Sequence, residues 1–114
     1  MRNLAILTTL GFVLSVAPAF AETMDATFGN TVTVTQPDGA TDRYLFEPDG
    51  TFVEHSHDGQ TYAGHWARHE GDVCLTVGDH EDCSPVPLDK AVGDAWPMQT
   101  SSGSLAIKIV AGRS

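Results

Sequence analysis

Beyond residue 30, the chain alternates short runs of β-prone residues with tight turns. Three Asp-Gly pairs, beginning at Asp38, Asp49 and Asp58, stand 11 and 9 residues apart. Asp-Gly supplies the positive φ that tight hairpin turns need. The runs between these turns are rich in Thr, Val, Tyr and Phe and alternate apolar with polar positions. Regular turns separated by short alternating runs indicate an all-β antiparallel meander.

About seven strands are predicted from this alternation, each with one buried and one wet face. A single helical turn is expected around residues 23–28, and the segment 84–95 is expected to be a long connection, because it holds Pro85, Pro87 and Gly93 and does not alternate. Because so many strands must hide their edges, we expect a small barrel or a compact sandwich. The predicted strands are 31–36, 41–47, 51–56, 61–67, 73–77, 96–100 and 104–110.

The larger apolar side chains of these strands form the predicted core. A barrel of this size fills its interior with side chains, so we expect little volume for a ligand or a catalytic cleft. The predicted core residues are Tyr44, Phe46, Phe52, Trp66, Leu75, Ile107 and Ile109.

The turn at Asp58-Gly59 sets the register of the third hairpin. A two-residue turn puts Phe52 opposite His65 and sends Trp66 to the other face, whereas one extra residue puts Phe52 opposite Trp66. Burying both rings together is worth several kcal/mol at about 25 cal/mol per Å², so we predict the longer turn. His55, His57 and His65 then share the solvent face.

The N-terminal 21 residues have the pattern of a secretory signal peptide. Arg2 precedes an apolar stretch that ends in Pro18 and Ala19-Phe20-Ala21, a basic start followed by a small-x-small cleavage site. The stretch is shorter than the roughly 20 residues of a membrane span. We therefore predict a cleaved leader, 1–21, and a single exported domain, 22–114, with no membrane span.

Cysteine content and charge restrict the possible partners. An exported chain with only Cys74 and Cys83 is predicted to join them in a disulfide, the alternative being a two-cysteine metal or redox site. Fifteen acidic residues against six Lys and Arg give a net charge of −9. Such a surface repels nucleic acid and anionic lipid and suits cationic partners or metal ions, or serves solubility alone.

Four of the five histidines fall between residues 55 and 69. Imidazole is the commonest metal ligand, so His55, His57 and His65 on one face are a candidate Zn²⁺ or Cu²⁺ site, with Asp58 or Glu70 as a further ligand. The alternative is a polar outer face of the sheet. No other cofactor is predicted, and neither a nucleophile elbow nor a calcium loop is present.

Several short motifs carry a resemblance. The chain resembles small secreted β-rich proteins of Gram-negative bacteria that have no assigned activity, and it is more loosely similar to periplasmic barrels that inhibit lysozymes or secreted proteases. The first resemblance implies the fold, and the second implies binding of a basic protein. The motifs are Arg43-Tyr44-x-Phe46, Asp49-Gly50-Thr51-Phe52, Gly64-x-Trp66, Cys74-Leu75 with Cys83, and Gly93-x-x-Trp96.

Three functions are weighed on these grounds. We expect a monomeric, non-enzymatic binding module of the periplasm or extracellular space, acting as an inhibitor of a basic protein. The alternative is a Zn²⁺- or Cu²⁺-binding protein that uses the histidines of residues 55–69. An enzyme is the third, although no nucleophile and base can be paired in the sequence.

Overall fold

A computed structural model describes residues 22–113, so the predicted leader lies outside the described residues. These residues form a short helix and eight antiparallel strands. None of their helices is long and apolar enough to cross a membrane. The elements are α1 Thr23–Thr27, β1 Thr31–Thr35, β2 Thr41–Phe46, β3 Thr51–His55, β4 Thr61–His69, β5 Asp72–Val77, β6 His80–Pro85, β7 Ala95–Thr100 and β8 Gly103–Val110.

The strands form one sheet that curls into a nearly closed barrel. Their order is β6-β5-β4-β3-β2-β1-β8-β7, so each hairpin pairs with the next and β1 pairs with β8. The ladder ends at β6 and β7, which are consecutive in sequence and joined by residues 86–94. Within the described residues these two edge strands flank an open seam in the wall. The barrel and the all-β class are as predicted, with one strand more than expected.

The additional strand is β6, which lies between the predicted strands 73–77 and 96–100 and was not predicted as a strand. Its residues are nearly all exposed, because an edge strand beside an open seam has little to bury. What holds it is the ladder to β5, in which Cys74 lies directly opposite Cys83, and the disulfide between these two residues. The predicted disulfide is therefore confirmed, and it attaches the edge strand to the sheet.

The first three hairpins share one loop geometry, and it corrects the predicted register. In each, a carbonyl accepts from the N–H three residues later, as Ser56 does from Gly59 at 3.0 Å, and the glycine has positive φ. This is a type I turn followed by a left-handed residue. The extra loop residue therefore precedes Asp-Gly instead of following it. Phe52 consequently lies opposite Gly64, not opposite Trp66.

The shift of two residues preserves the faces, so Phe52 and Trp66 still lie on the same side of the sheet. Four of the seven predicted core residues are buried, namely Phe46, Phe52, Ile107 and Ile109. Tyr44, Trp66 and Leu75 are partly buried and pack against that core.

Aromatic rings concentrate on the wall built by β2, β3 and β4. Phe46 lies 5.9 Å from both Tyr44 and Phe52, centroid to centroid, and 6.3 Å from Trp66. Offset and edge-on ring pairs at these distances stabilise a fold beyond simple burial. One side of the barrel is thus densely filled, while the opposite side has mainly aliphatic side chains.

Gly64 allows this wall to curve. A Cβ there would lie 2.1 Å from the Thr76 carbonyl oxygen and 3.1 Å from a ring carbon of Phe52. Glycine within a strand commonly marks such a close approach at a barrel bend.

We expect Gly64→Ala to lower the free energy of unfolding by about 2–4 kcal/mol in chemical denaturation. Gly71→Ala is the matched control, because nothing lies within 4 Å of its Cβ position; equal stability of the two variants would contradict the packing.

Trp66 joins the aromatic wall to the chain that precedes β1. Its ring lies 5.8 Å from Phe28, and its indole nitrogen donates to the Glu47 carbonyl at 2.8 Å.

We expect Trp66→Ala to destabilise the protein by about 3 kcal/mol through lost packing. Trp66→Phe, which keeps a ring but loses the hydrogen bond, should cost about 1 kcal/mol. Unchanged melting temperatures would show that the ring is not part of the core.

Candidate ligand-binding cavity

The barrel encloses a cavity of about 310 Å³ between the aromatic wall and the opposite strands. This volume lies within the roughly 300–1,000 Å³ range of small-molecule sites, and it is about twice the roughly 150 Å³ that holds benzene in an apolar cavity. The expectation of a filled interior is therefore wrong. The lining is mostly aliphatic and aromatic and includes Val32, Val34, Tyr44, Leu75, Met98, Leu105 and Ile107.

The space remains because large and small side chains are unevenly distributed around the barrel. The cavity is lined by α1 and by every strand except β3 and β4. The rings of Phe52 and Trp66 therefore pack on the dense wall, and the facing region is lined by Val, Leu, Ile and Met side chains and by the Trp96 ring. Eight strands enclose just enough room for one small ligand when the interior is not completely filled.

The helix α1 closes one end of the barrel. Met24 and Thr23 are almost fully buried there, and the Thr23 hydroxyl oxygen accepts from the Lys90 N–H at 2.9 Å. Arg68 reaches the same region, pairing with the Glu22 carboxylate and donating to the Val86 carbonyl at 2.9 Å. These contacts fix both α1 and the connection 86–94 across the closed end.

Exposure increases toward the other end of the barrel. The first and third Asp-Gly hairpins turn at this end, whereas the second turns at the closed end. Along β8 the inward residues change from Ile109 at 0% exposed to Ile107 at 5% and then to half-buried Leu105. On β6, Asp82 lines the cavity and its side chain is 76% exposed. The cavity therefore opens to solvent at this end, beside the seam.

Three carboxylates share the inward face near this opening. Asp42 lies two residues before Tyr44, Glu54 lies directly opposite Tyr44, and Asp82 lies opposite Leu75. Tyr44 and Glu54 are therefore direct neighbours across the ladder between β2 and β3. Burial and the fields of Glu54, Asp42 and Asp82 raise the pKa of Tyr44, so the phenol stays neutral. We call Asp42, Glu54 and Asp82 the acidic rim.

Glu54 is the partly buried member of the acidic rim. Burial and the nearby charge of Asp42 raise the pKa of Glu54, and the neighbouring Tyr44 hydroxyl opposes this rise only in part. When a positive charge approaches such a carboxylate, it favours the ionised form and lowers the pKa again. Such a perturbed group beside a cavity is a candidate for ligand recognition.

Asp42 is held by the tip of the third hairpin. The backbone N–H and the ring Nδ1 of His57 both lie 2.8 Å from its Oδ1, and Gln36 donates to its other oxygen at 3.2 Å. Burial alone would raise the pKa of Asp42, but the hydrogen bonds from His57 and Gln36 lower it below 3.8. The corresponding position in the first two hairpins is Pro37 or Pro48, which has no N–H to donate.

The structure does not bring the three candidate metal ligands together. His57 contacts Asp42 at the hairpin tip, whereas His55 and His65 lie on the outer face, opposite Thr61 and Thr51 respectively. Four positions of one strand separate the two outer histidines, roughly 13 Å at the rise of a β-strand. The predicted shared site of His55, His57 and His65 assumed the other register and is not formed in this one.

One group of three possible metal ligands occurs within residues 22–113, formed by Cys74, Glu81 and Cys83. Both of its sulfurs are bonded to each other. Because a metal is bound by thiolate rather than by a disulfide, this group does not offer a metal site in the oxidised protein.

A buried donor in the cavity wall has no partner. Trp96 is 9% exposed and lines the cavity, and its indole nitrogen has no hydrogen-bond acceptor among the described residues. Buried polar groups in native proteins are almost always paired. A cavity ligand that carries a hydrogen-bond acceptor would satisfy an indole N–H of this kind.

Searches of protein-family models, of curated proteins and of solved structures find no match to this chain.

The sequence contains a signal for the acidic rim that the predictions did not use. Asp42 and Glu54 occupy positions of the same period as Tyr44 and Phe52, so polar side chains interrupt an otherwise apolar face. The cavity itself has no such signal, because its volume depends on how the rings on one wall pack. Met98 and Leu105 consequently appear in the sequence as ordinary core residues.

The pair formed by Asp42 and His57 predicts a pH dependence of stability. The hydrogen bond to Asp42 raises the pKa of His57 above 6.5. The stabilisation from charged His57 is therefore complete below about pH 6.5 and is lost as the pH rises through the folded-state pKa. The lowered pKa of Asp42 keeps that carboxylate charged in the folded state at pH 5.

We expect His57→Gln to lower the melting temperature more at about pH 5.5 than at about pH 8.5. His69→Gln, at the exposed end of β4, is the control and should show no such difference. A His57→Gln effect of equal size at both pH values would show that the charged pair does not contribute.

Proposed function

We propose that this protein is an exported, non-enzymatic binding module that holds one small apolar molecule inside its barrel. The cavity of about 310 Å³ with its aliphatic lining carries the proposal. Apolar pockets with a few polar groups are the usual form of small-molecule sites. The disulfide is consistent with an oxidising compartment and supports export.

The site has an entrance, a wall and a floor. The helix α1 provides the floor, through Met24 and Thr27. The end with the acidic rim and the seam between β6 and β7 provide access. A ligand would bury its surface against Val34, Leu105 and Met98, which are partly exposed without it. Each buried methylene contributes about 0.8 kcal/mol.

Inhibition of a basic protein remains a prediction from the acidic surface, and it concerns the outside of the barrel. Zn²⁺ or Cu²⁺ binding by the histidines is not favoured, because His55, His57 and His65 lie in separate places. The cavity therefore supports the small-ligand function best.

Isothermal titration with 1-decanol tests the proposal. We expect saturable one-to-one binding by the purified protein. Leu105→Trp should abolish it, because Leu105 lines the cavity, whereas Ala106→Trp on the exposed face of β8 should retain it. Circular dichroism establishes that both variants are folded.

Two outcomes would contradict the proposal: no binding by the folded wild-type protein, or equal binding by the two tryptophan variants. Should Leu105→Trp fail to fold, Val34→Phe, which enlarges a different lining residue, provides the same test.

A further inference from the structure

The cavity wall contains a hydrogen-bond donor that the fold itself does not use. Two buried side-chain nitrogens have no partner among the described residues, Arg68 Nε and Trp96 Nε1, and of these two residues only Trp96 lines the cavity. A buried donor without an acceptor bears the full cost of its lost hydration, and native proteins rarely leave one so. The Trp96 N–H is therefore the polar group of this wall that a ligand can satisfy.

The buried hydroxyls of the lining are already engaged. Thr27 donates to the Met24 carbonyl at 2.7 Å. Thr23 donates to the Pro87 carbonyl and accepts from the Lys90 N–H at 2.9 Å. Each of these two side chains has a single O–H to donate, so the floor of the cavity offers a ligand no free donor from its threonines.

The position of Trp96 in the sheet suits an adjustable contact. It lies on β7 opposite Ile107, and both side chains line the cavity. Because β7 is an edge strand, no ladder confines the ring on the side of the seam. The last side-chain torsion of tryptophan has broad minima. A small turn of the ring, which the covered nitrogen requires, can therefore bring the N–H to a ligand.

The charge of the lining favours an uncharged acceptor. Among the described residues that line the cavity there is no Lys, Arg or His, and one residue, Asp82, is acidic. An anionic head would be buried without a counter-charge, which is costly, and an ammonium head has no acceptor to offer. A hydroxyl oxygen can accept, but its own O–H would then need an acceptor among aliphatic side chains.

We propose that the cavity selects a small apolar molecule with a neutral carbonyl oxygen, as in a ketone, an aldehyde or an ester, and that this oxygen accepts from the Trp96 indole N–H. This inference rests on the proposed function and specifies its ligand class. A carbonyl group brings acceptors only, which matches a wall whose unmet group is a donor. The apolar body of the ligand lies against Val34, Met98 and Leu105.

Acetophenone and α-methylstyrene test the assigned bond, because they share a phenyl ring and a methyl group and differ only in a carbonyl oxygen against a methylene group. Isothermal titration compares both ligands with the wild type and with Trp96→Phe, which keeps a ring and removes the N–H. We expect Trp96→Phe to weaken acetophenone binding about fivefold while changing α-methylstyrene binding by less than about twofold.

Trp66→Phe is the matched control for this substitution. It removes the same atoms from an indole that already donates to the Glu47 carbonyl at 2.8 Å, and Trp66 lies outside the cavity lining. We expect the relative affinities for the two ligands to stay as in the wild type.

Proton–nitrogen magnetic resonance of the wild-type protein observes the same bond directly and remains informative should Trp96→Phe fail to fold. The chain has two tryptophans, so the spectrum of Trp66→Phe identifies the indole signal of Trp96. We expect acetophenone to move this indole proton downfield, as a new hydrogen bond does, and α-methylstyrene, which has the same aromatic ring, to move it much less.

The outcomes distinguish the two failures. If neither of these ligands nor 1-decanol binds the folded wild-type protein, the proposed function itself is wrong. If both ligands bind but Trp96→Phe weakens them equally, or if the Trp96 indole proton responds equally to both, the cavity binds apolar molecules without using this donor and the further inference is overturned.

Discussion

Within the described residues, the two edge strands of the sheet, β6 and β7, do not hydrogen bond to each other. The curl of the sheet and the need to protect its edges both follow from this gap. Because β6 and β7 remain edges, the sheet can curl around a space without closing completely. The unpaired edges need other protection against aggregation. Here β6 carries acidic residues and β7 contains Pro97, both of which are common features of protected edges. The connection 86–94 and α1 close the end of the barrel beside them.

The interior is divided by the size of the side chains rather than by the backbone. On one wall, the Phe46 ring contacts the rings of both Phe52 and Trp66. The facing wall has shorter side chains, and the volume they leave is the cavity. Phe52 and Trp66 lie outside the cavity lining, whereas Tyr44 and Phe46 of β2 belong both to the aromatic wall and to the lining.

The hydrogen-bond partners of the inward carboxylates are also unevenly distributed. The cationic and amide partners gather at Asp42, where His57 and Gln36 tie two hairpin tips to β2. Glu54 lies on the same inward face, opposite Tyr44, and burial and the charge of Asp42 raise its pKa. Part of the acidity that the composition shows therefore lies on the inward face of the sheet.

The alternation of residues in the sequence predicted seven of the eight strands, since burial on one face leaves that pattern. It missed β6, because a strand held by a disulfide and one ladder needs no apolar face. The register error at Asp58-Gly59 came from the place of the extra loop residue. Pro37 and Pro48, before the two earlier Asp-Gly pairs, already favour the first central position of a type I turn. The cavity was beyond prediction, because it depends on which rings pack against each other across the barrel.

A crystal structure of the protein grown with 1-decanol tests the central claim most directly. We expect the alkyl chain inside the barrel, between Val34, Met98 and Leu105. A barrel whose opposite walls meet and leave no internal space, or an alkyl chain bound only to the outer face, would contradict it.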